Sequence, residues 1–429
     1  ANGLVVRDND FDNRSSITAL GSWIRGLPTA DGGFAGARPA ANRGISTTQP
    51  SPYLTLSAAG AFFLSPLADG TIGSRQAAPS RSVDGVEKDY FYNVNLGTSL
   101  ANKTDRWQAA TFVDHTFGGG VEFFSDVVLY RARSILGRTP VGTDATDEPN
   151  IAVAVNNPYN PFGSRFYHPQ GLPNADGTPR LVGDPAEVQF SPGVGTRVVD
   201  WENRRIEVTS TAYRSVIGLR GKLGREWEWE SAVLYSGAQT RDTEFNDVRE
   251  SALRTALART DATAFNPFGV TFRVSGNAVV PDQPYSNPKS VLDSFVQVWR
   301  HDGFSAIASL DARASGPVLR YWGNTASAAV GAEYRREQFL DTRPAYVGSN
   351  PPGVGLNVDD NDYLVASYAP NSTGNRIVYS GYVETIIPVF SPQRKIPLLY
   401  SLELTGSARY ENYSDFGTTN RPTAGLPWK

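Results

Sequence analysis

Apolar and polar residues alternate along much of this chain in runs longer than a compact soluble domain usually needs. The stretch from Tyr400 to Gly417 shows the pattern most cleanly. Leu402, Leu404, Gly406, Ala408 and Tyr410 share one parity, and Glu403, Thr405, Ser407, Arg409 and Glu411 share the other. Successive strand side chains point to opposite faces, so the spacing predicts a ribbon with one apolar and one charged face. Phe304, Ala306, Ala308, Leu310 and Ala312 likewise oppose Ser305, Ser309, Asp311 and Arg313. Ala328, Val330, Ala332 and Tyr334 oppose Glu333, Arg335 and Glu337. Alternation is weaker in Asp105–Phe117, where Phe112 shares parity with Asp114.

These runs pair into four hairpins: Asp105–Phe117 with Val121–Ser134, Glu207–Lys222 with Glu226–Arg241, Asp302–Ala314 with Asn324–Leu340, and Asn375–Val389 with Leu399–Ser414. Short turns join each pair, at Gly118-Gly119-Gly120, at Leu223-Gly224-Arg225 and at Ser391–Lys395, for example. Segments 12–104, 135–203, 242–300 and 341–374 read as long loops, a length uncommon in compact soluble domains. Short turns on one side and long loops on the other suit a transmembrane β-barrel, with the short side periplasmic. A β-sandwich would alternate too, so parity alone does not choose between them.

Tryptophan placement favours the membrane. Trp107, Trp201 and Trp299 open strands leaving long loops, while Trp227, Trp229 and Trp322 sit beside short turns. Indole prefers the membrane–water boundary, and barrels carry aromatic girdles at both ends. Packing of a sandwich rim is the alternative use for these residues.

Composition adds constraints. The formal net charge is −3 and the pI about 5.8, so no basic surface marks a nucleic-acid partner. With no cysteine, disulfide frameworks and thiolate metal sites are excluded. A mean hydropathy of −0.33 would ordinarily suit a soluble protein, but a barrel with a polar lumen and long loops gives the same value. The most apolar window, Tyr53–Leu64, is too short for a transmembrane helix.

Asn157-Pro158-Tyr159-Asn160-Pro161-Phe162-Gly163 is echoed by Phe265-Asn266-Pro267-Phe268-Gly269, and the pair is similar to the NPFNPFG-like loops of one branch of the TonB-dependent outer-membrane receptors. FFSDVVLYRARS within Trp107–Ser134, VGAEYRRE at Val330–Glu337, and the continuous stretch from Gly381 to Trp428 resemble its strands. The resemblance implies an all-β fold, an antiparallel transmembrane barrel of which residues 1–429 supply a partial wall of about eight full strands. It also implies outer-membrane lipid as surroundings, a plug domain and further strands outside this stretch, and a TonB energy-transducing complex acting through that plug. An isolated piece of this kind is expected neither to transport nor to close. The implied function is energised uptake of a scarce nutrient, whether siderophore, cobalamin, saccharide or similar. A passive porin and a surface β-rich carbohydrate-binding protein are the alternatives.

Within the loops, Tyr159, Phe162, Phe265 and Phe268 are candidate ligand-binding aromatics, with loop-stiffening turn residues as the competing use. No enzyme is expected. The chain holds no G-x-S-x-G elbow, P-loop or G-x-G-x-x-G, and His115, His168 and His301 lack zinc spacing. No cofactor or metal is expected. Asp8, Asp10 and Asp12 share one face, but the glycine of a calcium loop is missing, so solvation or pairing with Arg7 and Arg14 is the simpler use. Glu333, Glu337, Glu403 and Glu411 are expected to be lumen charges paired with Arg335 and Arg409.

Overall fold

A computed structural model describes residues 97–143, 151–190, 201–390 and 400–428, together with the backbones of six short strands outside these ranges. The aspartates at 8, 10 and 12 and the turn at 391–395 lie outside the described residues. The dominant element is one nine-stranded antiparallel sheet. Its strands are β1 (Lys103–Thr116), β2 (Glu122–Gly137), β3 (Arg205–Leu223), β4 (Trp227–Val248), β5 (Val296–Tyr321), β6 (Asn324–Thr342), β7 (Ser372–Phe390), β8 (Leu402–Tyr413) and β9 (Gly417–Gly425).

Spatial order follows chain order, so the sheet is a simple meander with β1 and β9 at its edges. The four expected hairpins are all present, and β9 adds a ninth strand that alternation in this Thr- and Pro-rich stretch did not announce. Because each strand reverses the last, the turn at 117–121 and the NPYNPFG segment lie at opposite ends of the sheet. Strands outrun their expected bounds at the loop end; β4 and β5 stay paired to Val248 and Val296, beyond a bulge at Glu244–Asp247.

At four glycines, Gly218, Gly237, Gly316 and Gly331, an aromatic ring of the neighbouring strand lies over the missing side chain. A Cβ on Gly237 would stand 2.4 Å from the Tyr213 hydroxyl oxygen, and one on Gly331 would stand 2.2 Å from the Tyr382 ring. In these last two the ring covers the missing side chain of its cross-strand partner.

The sheet has no conventional core. The buried apolar cluster lies instead in the loops, in residues 141–201 and 248–295, with Leu64 beside them. Trp201, Phe265 and Phe295 form its centre: the indole stacks on Phe265 with centroids 6.0 Å apart and meets Phe295 edge-on at 5.6 Å. Helix α1 (Glu250–Ala258) contributes Leu253, Ala256 and Leu257, the i, i+3, i+4 face of its short sequence. Loops of low regularity thus build a compact cap at one end of the sheet.

Candidate functional site

Register decides which side chains share a face, and the two faces of the sheet differ sharply. One carries Val113, Val127, Ile217, Val233, Leu310, Val330, Val383 and Ala408. The other carries an alternating row of charges, Glu122–Arg220–Glu230–Arg313, each facing its cross-strand neighbour. Arg220 bridges to Glu122, and Arg313 meets Glu230 at 2.9 Å. On the same face Arg335 pairs with Glu333 and Glu337 at 3.1 and 2.7 Å, and Arg409 pairs with Glu411 at 2.9 Å. These are the pairings expected for Glu333, Glu337 and Glu411, whereas Glu403 forms no ion pair with Arg335 or Arg409.

Hollows open on the charged face, which is the concave one. Near the short turns one of about 520 Å³ is lined by Glu122, Arg220, Glu230, Arg313 and Tyr382. Toward the loop end a second, of about 730 Å³, has small side chains on its floor (Ala212, Ser236, Ala238) and Ile307, Phe339 and Arg376 around them. Its size suits a small-molecule ligand. Phe112, Ile307, Phe339 and Ile386 are exposed on this face among its charges.

On the apolar face, aromatic residues follow a diagonal. Trp107, Tyr213, Tyr235, Tyr334, Tyr379 and Tyr410 step down by eight residues of register between β1 and β8. At about 3.4 Å per residue and about 4.8 Å per strand spacing, this line makes an angle of about 40° with the cross-strand direction. Barrel strands tilt by ~35–45° from the membrane normal, which turns a level girdle into just such a diagonal. Below the line, no Lys, Arg, Asp or Glu occupies the apolar face of the nine strands; Arg131, Arg241, Asp302 and Arg336 all stand above it. In β4 the band runs from Tyr235 to Trp227, roughly 20–25 Å of height at that tilt.

Of the six tryptophans expected to form a girdle, four stand at the boundaries of this band and two do not. Trp107 stands on the diagonal, and Trp227 and Trp229 close the band beside the short turn, where Trp322 is exposed. Trp201 and Trp299 belong to the cap. Trp201 is buried and donates its Nε1–H to the Val141 carbonyl at 3.1 Å, and Trp299 donates to Asp247 Oδ2 at 2.7 Å. Tyrosines that single-strand patterns could not connect take the outer boundary instead.

Comparison with known proteins adds little to this geometry. No family model matches the chain, and no curated protein matches it. Two solved structures, both mutants of the ferric enterobactin receptor PfeA from Pseudomonas aeruginosa, align loosely. The one in complex with enterobactin is 11% identical, with a TM-score of 0.25, and the alignment covers 76% of this chain and 42% of that one. For the second, the identity is 11%, the TM-score 0.23, and the coverage 77% and 42%. The chain spans about two-fifths of the length of these receptors. So loose a superposition places no residue of this chain.

The four loop aromatics proposed for ligand contact have different surroundings from those expected. Phe162, Phe265 and Phe268 are buried in the cap, so a ligand arriving from solvent meets none of the three. Tyr159 is half-buried, and its hydroxyl lies 2.8 Å from that of Tyr285; burial and this hydrogen bond push its pKa well up.

What the repeated motif does is structural. The Oδ1 atoms of Asn157, Asn160 and Asn266 each accept the backbone N–H two residues on, from Tyr159, Phe162 and Phe268, all at 2.9 Å. Their Nδ2 groups donate outward: Asn157 to the carbonyls of Leu257 and Phe265, Asn160 to those of Ala154 and Ala186, Asn266 to that of Val270. Asn157 thus ties the 135–203 loop to the 242–300 loop. Asn before proline is a turn residue by sequence; its buried cross-links needed the tertiary structure.

The 341–374 loop, the third of those between hairpins, joins the cap through charge. Asp362 is buried, accepts from Arg249 Nε at 2.7 Å and from the Ser251 N–H at 2.9 Å, and its carbonyl accepts the Glu250 N–H at 2.7 Å. It caps the N-terminus of α1, which has no capping side chain of its own. Arg249 also lies over the Tyr346 ring, 3.5 Å from its centroid. Nearby, burial raises the Asp247 carboxyl to about 6 against the opposing hydrogen bonds from Trp299 and Val248. Among the described residues no group of three or more metal-ligating side chains comes together.

Proposed function

We propose that this sheet is part of the wall of an outer-membrane β-barrel that takes up a small molecule. The tilted aromatic line, with no charged side chain beneath it on the same face, is the observation that carries the reading. A sandwich rim has no reason to keep one boundary at a membrane tilt across eight strands. The apolar face meets lipid, the charged concave face lines the lumen, and the cap and third loop stand outside.

The edge strands β1 and β9 pair with nothing further among the described residues. Open backbone N–H and C=O groups are not tolerated in hydrocarbon, so further strands close the barrel. Exposed Phe112 and Phe339 inside the lumen favour an occupied lumen over an open water-filled pore. The function proposed is therefore that of a receptor whose transport is energised through a plug and a TonB complex, with the hollow around Phe339 and Arg376 on the route of the solute.

Uptake of small nutrients by cells that carry the full-length protein tests transport. Energised uptake stops when a protonophore collapses the proton gradient. Uptake that persists unchanged would move the passive porin into first place.

A further inference from the structure

The geometry points to an uncharged, hydroxyl-rich solute, a saccharide, as the occupant of the hollow toward the loop end of the concave face. This rests on the receptor reading proposed above and names the class of molecule such a receptor would carry.

The charges beside the hollow form one chain that satisfies itself. Glu333 meets Arg335 at 3.1 Å, and Arg335 meets Glu337 at 2.7 Å. Arg376 lies 3.7 Å from Glu337 and closes on Asp415 at 2.8 Å. Its Nε adds a second bond to Asp415 at 2.9 Å, which makes that pair bidentate. Three carboxylates (Glu333, Glu337 and Asp415) thus hold two guanidiniums (Arg335 and Arg376), leaving one negative charge in excess. An anionic iron chelate finds neither guanidinium free and meets an excess of its own sign. A cationic solute finds each carboxylate already carrying a guanidinium.

A hydroxyl group avoids both conflicts. It donates one hydrogen and accepts through two lone pairs, so it can use the spare lone pairs of a paired carboxylate and the spare N–H groups of a paired guanidinium. Glu337, Arg376 and Asp415 line the hollow and keep 31, 38 and 43% of their side-chain surface exposed, open to such bonds. Arg376 lies over the stacked rings of Tyr413 and Phe416, 5.8 and 5.3 Å from their centroids, which holds its fork in place. Apolar surface stands alongside, where Ile307 and Phe339 line the same hollow and are exposed. A pyranose ring has the matching two-sidedness, with C–H groups across its faces and hydroxyls around its edge. The floor of Ala212, Ser236, Ala238 and Ser305 lets a ring lie against the sheet, and about 730 Å³ is an ordinary small-molecule volume.

The test uses the purified full-length protein in detergent and titration calorimetry with neutral oligosaccharides of glucose, xylose, mannose, galactose and N-acetylglucosamine. Oligogalacturonate and ferric enterobactin are the anionic probes. At least one neutral oligosaccharide is expected to bind, and neither anion. Phe339→Ala should weaken that binding about tenfold, the order of one lost aromatic contact. Phe339→Trp should keep it, and Phe112→Ala, on the same face but outside the hollow, should leave it unchanged. Glu337→Gln combined with Asp415→Asn frees Arg376, so this double variant should gain binding of oligogalacturonate that the parent lacks. Heat-modifiable migration on gels reports that each variant has folded.

Binding of either anion by the parent, binding of no neutral oligosaccharide, or full affinity in Phe339→Ala would each overturn the assignment. So would a folded double variant that still refuses oligogalacturonate. Protonophore-sensitive uptake of ferric enterobactin or cyanocobalamin, with no saccharide bound, would overturn it and leave the receptor reading standing. Saccharide binding with this variant profile, but uptake indifferent to a protonophore, would support the hollow and remove the energised receptor.

Discussion

The Tyr213 hydroxyl donates to the Tyr235 hydroxyl across 3.2 Å, although the two residues are not direct cross-strand partners. Tyr213 faces Gly237, and its ring reaches diagonally toward Tyr235 over the space that a side chain at Gly237 would fill. The pair forms one link of the tilted aromatic line, and the glycine is what allows the link.

Gly237→Val should therefore break the line locally. The Tyr213 ring has to leave its seat, and the lost ring contact costs about 1 kcal/mol, beyond any gain from strand propensity. Unfolding of the full-length protein in urea from lipid vesicles measures this, and Tyr213→Ala in the same background should add almost nothing further.

A charge in the band should cost far more than one in the lumen. Val330 lies midway between the line and the short turns, and Val330→Arg is expected to lose about 2–4 kcal/mol of stability in lipid. Ser315→Arg, one residue away from Val330's partner Ala314, points to the concave face, where Glu228 is its neighbour. It should be nearly neutral.

Asn160→Ala should loosen the cap and leave the sheet alone. Its Nδ2 satisfies the buried carbonyl of Ala186 and the carbonyl of Ala154, and its Oδ1 holds the Phe162 N–H. Losing these partners costs about 2–4 kcal/mol. Hydrogen exchange should quicken in 151–190 and 250–295 while the amides of β3 to β6 stay protected.

Cutting the Arg249–Asp362 link should free the third loop without unfolding the cap, whose centre is apolar. Asp362→Ala removes the acceptor for Arg249 and Ser251 and leaves the start of α1 uncapped, worth about 1 kcal/mol by capping alone. Limited proteolysis should then cut first between 343 and 371. Equal resistance of the variant and the parent would show that other contacts hold that loop.

The cap should also weaken as pH rises through Asp247. Its carboxyl titrates at about 6 when folded, against 3.8 for the free group, so the folded state binds the proton more tightly. The stability it contributes is full below about 3.8 and is lost as pH climbs to about 6. Asp247 lies some twenty residues from the short turn, well beyond the band. Asp247→Asn should flatten the cap's pH dependence across that window, read by hydrogen exchange in 250–295.

Strand positions and the meander were legible because a two-residue period and glycine turns are local signals. Phe112 and Asp114 did not alternate, and the structure puts both on the concave face, so that apparent fault was a true feature. The aromatic line was not legible. Tyr213, Tyr235 and Tyr334 align only when register is known, and register is a property of strand pairs. The burial of Phe162, Phe265 and Phe268 was hidden for another reason. An Asn-Pro turn looks the same in sequence whether its aromatic faces solvent or a core contributed by a distant loop.

The claim that the wall crosses a membrane at a tilt is tested most directly at Val127 and Ile377. Both lie on one cross-strand row, through Ser215, Tyr235, Ala308 and Arg336, and both face the apolar side. Val127 lies below the aromatic line and Ile377 above it. Spin labels at the two positions of the full-length protein, in vesicles, compare accessibility to oxygen with accessibility to a water-soluble nickel chelate. The account predicts an oxygen-rich, hydrocarbon environment at Val127 and a headgroup or aqueous one at Ile377. Equal depth at the two sites, or chelate access to both, would contradict it.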